Sequence, residues 1–280
     1  MTWESTDRYP APVAHKYSRI DGVATFLHHR GPTTLPEVVP DRGQGERILC
    51  LHGAGGNGAV FDPLLDLLGE RHEPLAFDQP GHGRSGSFDS LGSIDRMAAF
   101  TRALWEKLAL RAPVLLGHSM GGAVALQLAL DHPDEVRGLV LVGAGARFDD
   151  TEEGAEFVRK VSEGKARRRF EKEIYSPQTA PEIMQRGFLE SLKTDPRALY
   201  GDMLAIGDCD LVSRLGDIVA PTLVVVGEDE VPRMREQAEL LTASIPGAQR
   251  VDVPAAGHQI HLEQPAAVAA AIEDFLGGLS

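Results

Sequence analysis

Two residues have the types and surroundings for nucleophilic chemistry: Ser119, in Gly117-His118-Ser119-Met120-Gly121, and His258, in Gly257-His258 near the far end of the chain. A serine hydroxyl is a poor nucleophile until a neighbouring base takes its proton, and imidazole titrates close to neutrality. Ser119 follows an apolar run, residues 113–117, and precedes a helix-prone run, residues 121–131. A Gly-x-Ser-x-Gly between strand and helix matches the nucleophile elbow. The serine there sits on a sharp, strained turn, and Gly117 and Gly121 keep side chains out of its way. The helix behind it aims free N–H groups and its positive dipole end at the reacting centre, so the Met120 N–H is one donor for an oxyanion. His258 lies after the last predicted strand and before the final helix, where an α/β sheet carries its chemistry, and it follows the serine in chain order.

Those positions require a sheet of a particular kind. Residues 13–20 and 23–30 read as strands joined at Asp21-Gly22, a dipeptide suited to a tight hairpin. A Pro/Gly-rich loop, residues 31–45, follows, and then strands alternate with helices. Strands are expected at 47–51, 74–78, 113–117, 137–143, 222–227 and 249–253, and helices at 60–68, 94–110, 121–131, 234–244 and 263–276. Residues 137–143 and 222–227 are almost wholly apolar, which implies burial on both faces of a parallel sheet. The fold class is α/β: a mostly parallel sheet with an N-terminal antiparallel hairpin. Residues 148–208 break the alternation; charged and helix-prone, they read as a helical cap inserted after the sixth strand into a core formed by 1–147 and 209–280. The cap's basic run, Lys165 to Arg169, reads as a solvated helix face among Glu163, Glu171 and Glu173.

Composition narrows the partners. With 41 acidic against 28 basic residues the chain carries a formal charge of −13, which disfavours nucleic acid and anionic membrane. Residues 1–13 lack the apolar stretch of a secretion signal, and no run of about 18 apolar residues could span a bilayer. Cys50 sits in an apolar strand, as a buried free thiol does, and Cys209 is distant in sequence; a cytoplasmic location is expected.

The chain resembles the α/β-hydrolase superfamily over roughly residues 15–279. Besides G-H-S-M-G, the stretches L-H-G-A-G-G at 51–56, F-D-Q-P-G-H-G-R-S at 77–85 and P-A-A-G-H-Q-I-H-L-E-Q-P at 254–265 carry the likeness, in the order that family has them. The resemblance implies a helical lid over Ser119 and makes the Ala54 N–H the second oxyanion donor. It leaves the acid of the triad open: the family's spacing after the strand ending at Gly227 selects Glu230, whereas its usual aspartate selects Asp229. Either carboxylate could orient the imidazole.

Rival readings attach to the same residues. Gly53-x-Gly55-x-x-Gly58 matches the dinucleotide fingerprint by letter, with Asp78 about 20 residues on as a ribose acid. That reading leaves His52, the serine elbow and His258 unexplained. His258 and His261 form an H-x-x-H, but no Glu follows the first and no third ligand is apparent, so no metal is expected. A Ser–His–acid group with two backbone donors implies acyl transfer to water through an acyl-enzyme, without a cofactor. The expected substrate is a small-molecule carboxylic ester, lactone or thioester, and the expected state a monomer or homodimer. Two alternatives stand: a C–C bond hydrolase, against which Gln259 replaces the Trp that often follows the catalytic His, and a low-turnover ligand receptor with a hydrolase-like site.

Overall fold

Asp21 and Gly22 take left-handed backbone conformations, φ 46° and 84°. They close an antiparallel hairpin of β1 (Tyr17–Ile20) and β2 (Val23–His28), the two-residue turn that Asp-Gly favours. The computed structural model describes residues 17–31, 43–149 and 151–279. The expectations for 1–16 and for most of the 31–45 loop lie outside the described residues. The strands that follow are β3 (Arg47–Leu51), β4 (Glu73–Phe77), β5 (Val114–His118), β6 (Gly138–Val142), β7 (Thr222–Gly227) and β8 (Gln249–Val253). They form one sheet in the order β1-β2-β4-β3-β5-β6-β7-β8. β2 joins β4 antiparallel, and every pair beyond it is parallel.

Helices cover both faces, which is why the central strands carry no polar alternation. They are α1 (Asp62–Leu68), α2 (Ile94–Lys107), α3 (Met120–Asp131), α4 (Glu152–Ser162), α5 (Pro181–Ser191), α6 (Pro196–Gly207), α7 (Pro232–Ser244), α8 (Ile260–Glu263) and α9 (Pro265–Gly277). Leu49, Leu51 and Leu115 pack with Met97 and Leu104 of α2, Val124 of α3 and Leu241 of α7. Their sequence neighbours Ile48, Cys50 and Leu116 face the other way, onto Leu64 of α1 and Ile272 of α9. Each such side chain contributes about 1.5–3 kcal/mol by leaving water.

Three local expectations change. Residues 58–61 form a 3₁₀ turn, with the Asn57 side chain accepting from the Ala59 N–H, and the α-helix begins only at Asp62. The closing helix splits at Gln264 (φ −133°, ψ 56°) because Pro265 excludes the α conformation from the residue before it. Lys165 to Arg169 is largely solvated, with Lys165, Arg167 and Arg169 exposed, but it is not a helix face: α4 ends at Ser162, and Gly164, at φ +72°, turns the chain away. Arg168 is half-buried, donating from Nη1 to the carbonyls of Ser191 (2.7 Å) and Thr194 (3.2 Å).

Helices α4 to α6 all lie between β6 and β7, and an isolated bridge between Arg147 and Asp210 joins the two ends of this excursion. Cys50 and Cys209 are buried free thiols; burial pushes both up, Cys209 to about 12. Among the described residues no helix is long and apolar enough to cross a membrane.

Candidate active site

The turn after β5 is built around glycines that cannot be anything else. A Cβ on Gly117 would lie 2.3 Å from the Gly121 carbonyl oxygen, and one on Gly121 would lie 2.1 Å from the Leu51 carbonyl oxygen. Gly122 lets α3 approach β6, since its Cβ would meet the Ala144 Cβ at 2.2 Å. Ser119 itself takes φ 52°, ψ −119°, a conformation that costs an ordinary residue about 1–3 kcal/mol. The turn is held by the Ser119 N–H on the Val142 carbonyl (3.1 Å) and the Gly122 N–H on the Ser119 carbonyl (2.9 Å). Met120 is the first residue of α3, so its N–H has no partner within the helix.

The loop after β3 lies against this serine: a Cβ on Gly53 would be 3.1 Å from the Ser119 Cβ. Ala54 follows directly. The Gly53 carbonyl, which shares a peptide unit with the Ala54 N–H, accepts from His52 Nδ1 (2.9 Å) and from the Gly56 N–H (3.0 Å). His52 Nε2 accepts from the Gln79 N–H at 3.1 Å, so the ring is a neutral Nδ1–H tautomer. Burial, then the neighbouring His82 cation, pull His52 down to about 4 and keep it neutral.

The loops after β7 and β8 bring a carboxylate and an imidazole together. His258 Nδ1 stands 3.0 Å from Glu230 Oε2 and 3.1 Å from Oε1. Glu230 is 5% exposed, and its Oε1 also accepts from the Val231 N–H (2.9 Å). The carboxylate keeps the proton on Nδ1 and leaves Nε2 free to accept one. Gly143, at the end of β6, makes room: a Cβ there would sit 3.1 Å from Glu230 Oε2 and 3.3 Å from His258 Nδ1. Asp229 is not brought to the histidine. It is exposed, and its Oδ2 accepts from the Ser176 hydroxyl at 2.6 Å.

His258 is fixed from three sides. Its N–H donates to the Ile174 carbonyl (2.7 Å), and its carbonyl accepts from Nε2 of His118, the residue preceding Ser119 (2.9 Å). Glu263 accepts from the Gly257 N–H (3.0 Å), the Ser176 N–H (2.8 Å) and the Thr179 hydroxyl, tying the loop to the helical excursion. Ile174 and Ser176 belong to that excursion too, so both α4–α6 and the sheet position the imidazole.

Sequence reasoning gives no role to His118, Glu263 or Asp202, and weighs His261 only as a metal ligand. The His118 and His261 rings pack at 4.4 Å between centroids, tilted by 54°. Burial first, then neighbouring imidazoles, hold His118 well below its ordinary value and take His261 to about 3. Both are therefore neutral, and the His261 ring also packs at 5.0 Å on Phe61. Among the described residues no group of three or more His, Cys, Asp or Glu side chains could hold a metal ion. The residues of the dinucleotide reading are already engaged within the protein. Asp78, the ribose acid of that reading, is buried and already accepts from the Gly58 and Arg84 N–H groups (2.7 and 2.8 Å) while paired with His28 (2.7 Å). Gly55 is covered by Leu199 and Arg168.

Comparison with known proteins agrees with this architecture. The family model described as the alpha/beta hydrolase family matches residues 48–271. A pimeloyl-(acyl-carrier protein) methyl ester esterase from Yersinia enterocolitica is 29% identical over 251 residues, covering 83% of this chain and 94% of that protein. Its counterpart from Photobacterium profundum is 30% identical over 248 residues, covering 84% and 96%. A crystal structure of a hydrolase from Pseudomonas aeruginosa superposes with a TM-score of 0.77 at 26% identity, covering 91% of this chain and 94% of that one.

Proposed function

Because this chain belongs to the alpha/beta hydrolase family, we propose that it is a serine hydrolase cleaving a small-molecule carboxylic ester, lactone or thioester through an acyl-enzyme. The observation that carries this reading is the pairing of a strained serine at a strand-to-helix corner with a buried Glu230–His258 couple at the same end of the sheet. The relatives named as methyl ester esterases support the ester class.

His258 Nε2 takes the Ser119 proton as Oγ attacks the carbonyl carbon, and Glu230 stabilises the imidazolium without taking the proton itself. The tetrahedral oxyanion lies between the Ala54 and Met120 N–H groups, each worth about 3–4 kcal/mol of barrier in comparable sites. His258 returns the proton to the departing alcohol or thiol; water then attacks the acyl-enzyme by the same route in reverse. Residues 148–208 act as a lid on a core of 1–147 and 209–280. Phe170 packs on both Tyr175 and Phe188 within it. The enzyme acts on a small molecule as a monomer or homodimer in the cytoplasm, and its net charge of −13 supports the absence of nucleic-acid and membrane partners.

A panel of p-nitrophenyl esters, methyl esters, lactones and vinylogous diketones tests the reaction class. Ester or lactone turnover that disappears in Ser119→Ala is expected. Turnover of the diketones alone would overturn the ester reading in favour of C–C bond hydrolysis.

A further inference from the structure

A buried carboxylate that the chemistry above does not use lies on α6. Asp202 and His82 are both fully buried, with Nε2 of the histidine 2.7 Å from Asp202 Oδ2. The same Oδ2 accepts from the Gly55 N–H at 2.8 Å, and Oδ1 accepts from the Ser90 hydroxyl at 2.6 Å. His82 Nδ1 stands 3.0 Å from the Pro80 carbonyl. A carbonyl only accepts and so does a carboxylate, so both ring nitrogens carry protons and His82 is a cation. Burial opposes that charge, but the Asp202 carboxylate and the Pro80 carbonyl outweigh it and raise His82 above its ordinary value.

A buried ion pair contributes little net stability, because desolvation offsets most of its attraction. What this one does is geometric. The Gly55 N–H belongs to the peptide that follows Ala54, and the peptide before Ala54 is already held at its carbonyl by His52 and the Gly56 N–H. Asp202 therefore anchors the peptide on the far side of Ala54, so that the Gly53–Ala54 peptide, whose plane carries the Ala54 N–H, is held from both ends. Gly55 has φ +63°, and a Cβ on it would lie 2.7 Å from Leu199 Cδ1 and 2.9 Å from Arg168 Nη2. Leu199 is on α6 as well, so one helix of the excursion both covers the loop and hydrogen-bonds it.

We propose that Asp202 is a positioning residue through which α6 completes the oxyanion hole, with His82 and Ser90 holding its carboxylate against the Gly55 N–H. The proposal rests on Ala54 being an oxyanion donor in the hydrolase reading. It means that the hole is assembled only while the helical excursion is seated on the sheet.

The test compares Asp202→Ala with Asp202→Asn on one p-nitrophenyl ester, with thermal melting to verify folding. Asp202→Ala removes the acceptor and is expected to lower kcat by about 10–100-fold, short of or equal to the loss of a whole donor, with KM within about threefold. Asp202→Asn keeps an oxygen for the Gly55 N–H and is expected to recover kcat to within about fivefold of wild type. Ser90→Ala keeps the ion pair but releases one side of the carboxylate. It is expected to lower kcat about threefold or more at unchanged KM, and it decides the matter should Asp202→Ala fail to fold. A folded Asp202→Ala with wild-type kcat, a loss confined to KM, or an Asp202→Asn as impaired as the alanine would overturn the positioning role while leaving the hydrolase reading intact. An inactive wild type, or activity that survives Ser119→Ala, would instead overturn that reading and the proposal with it.

Discussion

Replacing Glu230 by glutamine separates the two carboxylates that neighbour each other in sequence. In the native site Oε1 accepts from both the Val231 N–H and His258 Nδ1, while Oε2 faces the same Nδ1 at 3.0 Å. An amide of the same shape has one acceptor where the carboxylate has two. With its oxygen on the Val231 N–H, its NH2 group meets His258 Nδ1 and drives the ring proton to Nε2, where the base should be empty. With the amide reversed, its NH2 confronts the Val231 N–H and the imidazolium still lacks a counter-charge. A loss of about 10³–10⁴ in kcat is expected, or about 4–5.5 kcal/mol of transition-state stabilisation at 1.36 kcal/mol per decade. Asp229→Asn alters a group whose visible side-chain partner is the Ser176 hydroxyl, and kcat should stay within about threefold. Steady-state kinetics on a p-nitrophenyl ester reads both. Equal mild losses in the two variants would refute the reasoning, and a larger loss in Asp229→Asn would reverse the assignment.

Two further outcomes follow from the packing and the buried imidazoles. Gly121→Ala drives a methyl group into the Leu51 carbonyl and should lower stability by about 1–3 kcal/mol or more, read as a shift in urea midpoint; an unchanged midpoint would contradict the corner as described. His52 and His261 are held neutral at about 4 and 3 in the fold, so below their ordinary 6.5 the unfolded chain binds more protons than the native one. Their stabilisation is complete above pH 6.5 and falls as pH drops toward 4, by about 3 kcal/mol for His52 alone. His82 is raised and works in the opposite sense, its contribution present below 6.5 and lost as pH climbs through its native value. Urea titrations from pH 4.5 to 8 should show the acid loss, and His261→Leu should flatten it; a flat wild-type curve below 6.5 would count against neutral burial.

What was legible in the sequence is what local chemistry determines. The strand before Ser119 and the glycines around it must be as they are because the corner is tight over a few residues, so a five-residue pattern with its flanks carries the information. The two-residue hairpin at Asp21-Gly22 and the two-sided apolar strands are local in the same way. The two carboxylates are not separable in the sequence because Asp229 and Glu230 differ by one position on a turning loop; in the fold, Glu230 is buried beside Gly143 within reach of His258, while Asp229 points to Ser176. Asp202 gave no signal at all: its hydrogen bond to Gly55 spans 147 positions, and a lone Asp on a helix reads as surface. Arg168 differs for a related reason: past Gly164 the chain leaves the helix, and of the basic run Arg168 alone turns inward, toward Gly55, while Lys165, Arg167 and Arg169 stay in water.

The most direct test of the central claim is intact-mass analysis after exposure to a fluorophosphonate, followed by peptide mapping. One adduct per chain, on Ser119, absent from Ser119→Ala and formed at least about a hundredfold more slowly in His258→Ala, is the predicted result. Modification at any other residue, or labelling indifferent to His258, would contradict a serine activated by the imidazole that the end of the chain delivers.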